Sequence, residues 1–174
     1  MTPEDFTSTI LPLRTKCYRF AASMLRNGQE SEDVAQEVMI KLWDRRDTLQ
    51  HIDNVEAWAI RATRNMAIDR MRHSSWRTGD VEVLYAHASS ALSADERVEQ
   101  QEAVEAVFTE MNALPELQRS ILHLREVEQK TYEEIATTLQ LSDAQVKVYL
   151  HRARKKIRES IDQSHAPSSN QRAY

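Results

Sequence analysis

Phe6, Ile10, Leu13, Cys17, Phe20 and Met24 recur at spacings of four and three, the apolar stripe of an amphipathic helix. Pro12 divides that stretch into a short helix and a longer one running to Arg26, and Asn27-Gly28 stops it. A second helix is predicted from near Ser31, or slightly earlier, to about Arg46, with Val34, Val38 and Leu42 on one side. Asp33, Gln36, Glu37, Ile40, Lys41 and Asp44 lie largely elsewhere on it. Asp47 to Asp53 reads as a loop, with Asp53 or Asn54 as the next N-cap. A third helix runs from Val55 to about His73. It has two apolar faces, Trp58, Ala59, Ala62 and Met66 on one and Ile60, Ala67 and Met71 on the other. Either both are covered, or one meets a partner.

From Ser74 to Leu92 the periodicity weakens, and the stretch reads as a linker. Helical spacing returns at Ser93, which with Glu96 has capping-box spacing, and continues through Val104, Val107, Phe108, Met111 and Leu114. Pro115 opens another helix whose core face carries Leu117, Ile121, Leu124 and Val127. Thr131 caps a short helix bearing Ile135, Ala136 and Leu139, Gln140-Leu141 makes a turn, and Ser142 with Gln145 forms a second capping box. The last helix buries Val146, Leu150, Ala153 and Ile157. A short helix, a tight turn and a longer capped helix make a helix-turn-helix. The expected fold is all-α: two small helical domains, 1–73 and 93–163, joined by a linker at 74–92, with a disordered tail at 164–174.

Composition agrees. Two glycines, Gly28 and Gly79, and four prolines are too few for the tight turns of an all-β fold. The single Cys17 builds neither a disulfide nor a paired-cysteine metal site. No apolar run approaches the roughly 20 residues that cross a bilayer, and the first five residues lack a signal-peptide pattern, so a soluble cytoplasmic protein without membrane insertion is expected. The six scattered histidines form no His-Glu-x-x-His pair and there is no Gly-rich phosphate loop. The expectation is a non-enzyme with no cofactor, no metal and no small-molecule substrate.

The net charge of −4 hides an asymmetry. Val55 to His73 holds four arginines against Glu56 and Asp69; Asp80 to Glu110 holds eight acids against Arg97; Ser142 to Arg158 holds six basic residues against Asp143. An acidic total does not exclude DNA binding when basic charge is concentrated on particular elements. Opposite the core stripe of the last helix stand Lys147, Val148, His151, Arg152, Lys155 and Arg158, placed to enter a major groove, while Arg154 and Lys156 reach phosphates. A solvated basic face is the plainer alternative. Arg61, Arg64, Arg70 and Arg72, with Asn65 and Trp58, combine charge, amide and ring as unpaired strands require, although Trp58 also suits a core. Asp33, Gln36, Glu37 and Ile40 make a mixed face that is either an interface or ordinary surface.

The run Glu32-Asp33-Val34-Ala35-Gln36-Glu37-Val38-Met39-Ile40-Lys41-Leu42-Trp43 resembles the core-polymerase-binding helix of extracytoplasmic-function sigma factors. Ala57-Trp58 and Ala62 to Arg72 resemble their −10-recognition helix. Leu114-Pro115-Glu116, Leu124-Arg125-Glu126 and Tyr132 to Ala136 resemble the start of their C-terminal domain, and Val146-Lys147 through Arg154 their −35 helix. The resemblance spans about residues 6 to 160. Two departures stand out: Gln140 where the family often has glycine, and Ala62-Thr63 in place of a larger and smaller apolar pair.

The resemblance implies core RNA polymerase binding through Asp33, Gln36, Glu37 and Ile40. It implies −10 contacts from His51, Asp53, Asn54, Trp58, Arg61, Arg64, Asn65, Arg70 and Arg72, with the loop around His51 to Asn54 capturing an unstacked base. It implies −35 contacts from Arg125, Lys147, Val148, His151, Arg152, Arg154 and Lys155. Promoter DNA and an anti-sigma factor are the further expected partners. An autonomous helix-turn-helix regulator and a helical adaptor with an incidental basic helix are the competing readings.

Overall fold

A computed structural model describes residues 1–73 and 109–164. Of the helix expected from Ser93 with an apolar face reaching Leu114, residues 93–108 lie outside the described residues, as do the linker at 74–92 and residues 165–174 of the tail expected at 164–174; Ser164 is the last residue of the final helix. Among the described residues every regular element is helical.

Helix α1 (Pro3–Thr9) starts at a reciprocal capping box between Thr2 and Asp5, and α2 (Leu13–Leu25) follows Pro12 as the sequence predicts. The next junction differs from expectation. Arg26, not Gly28, takes the left-handed conformation (φ 48°), and Gly28 is already helical in α3 (Gly28–Asp44). The cause is Asn27, whose side chain accepts the Glu30 N–H at 3.0 Å and caps α3 three residues before Ser31. A 3₁₀ turn (Leu49–His51) interrupts the loop before α4 (Val55–His73), which Asn54 caps through the Ala57 N–H at 2.8 Å.

In the C-terminal part, α5 (Glu116–Glu126) follows Pro115, α6 (Tyr132–Leu139) follows the Thr131–Glu134 capping box, and α7 (Asp143–Ser164) follows the Ser142–Gln145 box. The helix-turn-helix is therefore α6, a turn at Gln140-Leu141, and α7. Gln140 adopts φ 57°, ψ 47°. A residue with a Cβ pays roughly 1–2 kcal/mol there, so Gln140→Gly is expected to raise unfolding free energy by about 1 kcal/mol in urea titrations.

Two apolar cores result. One gathers Phe6, Ile10, Cys17, Ala35, Val38, Leu42, Leu49 and Ala59 from the N-terminal helices. The other joins the two parts of the chain: Phe20, Met24, Leu25, Val34, Ile60 and Ala67 pack with Ile121, Leu124, Ile135, Val146, Leu150 and Ala153. Helix α4 lies between the cores, which explains its two apolar faces: Trp58, Ala62 and Met66 pack on the first, Met66 and Met71 on the second. Val127, assigned to the core stripe by spacing, is 44% exposed, because α5 has ended at Glu126.

Candidate nucleic-acid interface

The basic face of α7 is set by its burial pattern. Val146, Leu150 and Ala153 are fully buried, and Lys147, Val148, His151, Arg152, Lys155 and Arg158 are exposed on the other side. Val148 is 46% exposed, a bare apolar group among cations, which suits a thymine methyl as well as solvent. The expected phosphate contacts are differently placed. Arg154 donates to Glu126 through Nε (3.1 Å) and Nη2 (2.5 Å), and Lys156 donates to the Ala113 carbonyl at 2.8 Å. Arg125 is half-buried; it donates to the Lys130 carbonyl at 2.7 Å and lies over the Tyr132 ring, so it braces the α5–α6 turn.

On α4 the candidates divide. Trp58, Arg61 and Asn65 share one cavity of about 630 Å³ with Lys41 and Arg45 of α3. Asp44 and Asp69 also line it, and Gln140 of the helix-turn-helix closes one side. Trp58 is both things the sequence allowed: half-buried against the first core, and a wall of the cavity with the Arg45 guanidinium 5.5 Å from its ring centroid. Lys41 and Arg45 escaped notice as site residues; their four-residue spacing on the side of α3 facing α4 was the available signal. His51, Asp53 and Asn54 lie apart at the α3–α4 loop, exposed, and Asn54 is engaged as the cap of α4.

Three of the α4 arginines are held by protein. Arg70 pairs with Glu30 (2.7 Å) and with Glu37 of α3. Arg64 donates to Ser120 Oγ at 3.1 Å, and burial pulls its pKa below the ordinary arginine value. Arg61 donates to the carbonyls of Thr137 and Thr138 at the end of α6. Arg72 is exposed. The polymerase candidates fall together on α3: Gln36, Glu37 and Ile40 are exposed, Ile40 by 53%, and Asp33 is half-buried. Gln36 and Ile40 border an apolar groove with Phe6, Leu11, Met39 and Trp43.

The part of the chain that carries the cavity and the part that carries the capped basic helix match two families in order. Residues 10–77 match sigma-70 region 2, and residues 105–157 match sigma-70 region 4. The chain belongs to the extracytoplasmic-function sigma factors. It is 34% identical over 146 residues to a probable RNA polymerase sigma factor, RfaY, of Xanthomonas campestris, covering 81% of this chain and 36% of that protein. It is 26% identical to the sigma factor SigX of Bacillus subtilis, covering 83% of this chain and 77% of SigX. The sigma factor RpoE of Bartonella quintana, solved with the anti-sigma factor NepR, superimposes with a TM-score of 0.68 at 22% identity, over 91% of this sigma factor and 98% of that chain. That similarity concerns the fold. Among the described residues no helix is long and apolar enough to cross a membrane.

Proposed function

We propose that this sigma factor acts in the cytoplasm, without catalysis of its own, by docking on core RNA polymerase and giving it promoter selectivity through two separate DNA contacts. The division follows the expected boundaries, with 1–73 serving polymerase and the −10 element and 93–163 serving the −35 element. The observation that carries the reading is the cavity between α3 and α4, where Trp58, Asn65, Arg61, Lys41 and Arg45 converge. An unstacked base needs a flat apolar wall, an amide to hydrogen-bond its edge, and cations for the flanking phosphates.

The polymerase face is assigned to Asp33, Gln36, Glu37 and Ile40. The −10 strand goes to the cavity with Arg64, Arg70 and Arg72 beside it, and His51, Asp53 and Asn54 at its edge. The duplex face is Lys147, Val148, His151, Arg152 and Lys155; Arg154 reaches a phosphate by leaving Glu126, and Arg125 supports the turn in front. An anti-sigma factor is a further proposed partner.

The test compares duplex binding with and without core polymerase. Free protein is expected to bind promoter duplex weakly, because its basic charge is split between two small surfaces. Holoenzyme is expected to bind the same duplex tightly and selectively. Nanomolar, selective binding by the free chain would favour an autonomous regulator instead.

A further inference from the structure

The contact between the two halves of the chain borders the strand cavity. Helix α6 ends against it: Gln140 closes one side, and the Thr137 and Thr138 carbonyls accept from Arg61 at 3.2 and 3.4 Å. These carbonyls, at the negative end of a helix, would repel a phosphate brought to Arg61. Arg64 is likewise taken up by Ser120. In this arrangement the contact occupies two arginines that a bound strand would need.

The same contact carries a titratable group that nothing in promoter recognition uses. His123 of α5 is 2% exposed, and among the described residues neither ring nitrogen has a hydrogen-bond partner. Its ring meets Phe20 of α2 edge-on, with centroids 5.2 Å apart, so its burial depends on the two halves staying together. The charged groups around it are few. From α2 comes Arg19, and from the turn after α5 comes Glu128, 3.6 Å from His123 Nε2. These two pair directly, Arg19 Nε to Glu128 Oε1 at 2.9 Å and Nη2 to Oε2 at 3.0 Å. Cys17 of α2 also feels Glu128 and stays protonated, burial pushing its thiol up to about 11. Farther along the seam Glu56 bridges Lys16 and Lys130, both at 2.9 Å.

We propose that this seam is an acid-released latch: with His123 neutral the two halves close beside the strand cavity and take up Arg61 and Arg64, and proton uptake by His123 opens them. Glu128 is already committed to Arg19, so an imidazolium at this depth is only partly compensated. Burial accordingly pulls the His123 pKa below its ordinary value, against the opposing pull of Glu128, while Glu128 itself is held at about 2 by His123 and Arg19 in spite of its burial. Opening exposes the imidazole, which then titrates near the usual value of about 6.5. Above that pH neither form binds the proton and the closed form keeps its full advantage. Below it, the open form takes up a proton that the closed form refuses, and the advantage is lost as pH falls toward the depressed value. Between pH 7.5 and 5.5 the closed-to-open ratio is expected to fall by up to about ten-fold, the limit reached when the closed form binds no proton in that range.

The latch rests on the assignment of the cavity to DNA only for its consequence, so two readouts separate them. Thr7→Cys and Glu159→Cys, both at exposed positions, carry a fluorescent donor and acceptor on the full chain. Cys17, fully buried, stays unlabelled. Energy transfer is followed from pH 7.5 to 5.5, with helicity monitored by circular dichroism. Binding of a fluorescent single-stranded −10-type oligonucleotide is measured alongside. The expected result is a reversible loss of transfer in the parent protein without loss of helicity, absent in both His123→Leu and His123→Gln. The same acid opening in the two His123 variants, or none in the parent, overturns the latch. Opening that depends on His123 but brings no strand binding upholds the latch and removes the cavity from the DNA site.

Discussion

Asp33→Lys combined with Glu37→Lys is expected to weaken association with core RNA polymerase at least about a hundred-fold, the scale of losing more than one interfacial anchor and reversing the local field. Folding is expected to survive. Glu37 is exposed and Asp33 only half-buried, and the core of α3 is carried by Val34, Ala35, Val38 and Leu42 on the opposite side. Among the described residues the one ion pair lost is between Glu37 and Arg70, and Arg70 keeps Glu30 at 2.7 Å. An exposed pair of that kind is worth about 0–1 kcal/mol. Ile40→Ser provides a charge-neutral companion, since Ile40 is more than half exposed and borders the groove with Leu11 and Trp43. Co-purification with core enzyme and circular dichroism read the two consequences separately. Native helicity with unchanged co-purification would take the polymerase contact off α3.

The second large effect separates duplex reading from strand reading. Arg152 is exposed on α7, opposite buried Val146, Leu150 and Ala153, and is free to fork onto a guanine edge. Such a contact is worth roughly 1–3 kcal/mol of discrimination. Arg152→Ala is therefore expected to relax preference at one or two positions of the −35 element by about ten-fold or more. Asn65 sits in the α3–α4 cavity. Asn65→Ala is expected to leave −35 preference alone and slow opening at the −10 element about ten-fold, the scale of one base contact. Arg154→Ala is expected to act weakly and without sequence dependence, because Glu126 already holds that guanidinium. Transcription from a randomised promoter pool, with permanganate footprinting of the opened strand, measures all three. A shift of −35 preference in Asn65→Ala, with none in Arg152→Ala, would reverse the assignment of the two surfaces.

The elements were legible because their signals are local. Thr131 with Glu134 and Ser142 with Gln145 sit three residues apart, and each pair exchanges the hydrogen bonds that such spacing allows. The stripe Val146, Leu150, Ala153 fixed which side of α7 faces out. The start of α3, expected near Ser31 or slightly earlier, falls at Gly28; glycine after asparagine reads as a stop, while here Asn27 caps and Arg26 takes the strained conformation. What no local pattern carries is the meeting of distant segments. Arg119 of α5 carries no such local signal. It is 7% exposed, and it donates to the carbonyls of Met111, Asn112 and Leu114 and, across the seam, to that of Met24. His123, in a scattered set of histidines, gave no hint of its burial against Phe20. Lys41 and Arg45 joined the site only when α3 and α4 were seen side by side.

The central claim is that selectivity arises when this chain joins polymerase. The most direct measurement is in vitro transcription with purified core polymerase on fragmented genomic DNA, with start sites mapped in the presence and absence of the chain. The account predicts a small set of discrete starts that appear only when the chain is added, sharing one −35 and one −10 sequence at fixed separation. Start sites unchanged by the chain, together with tight selective binding of the chain alone to DNA, would contradict it.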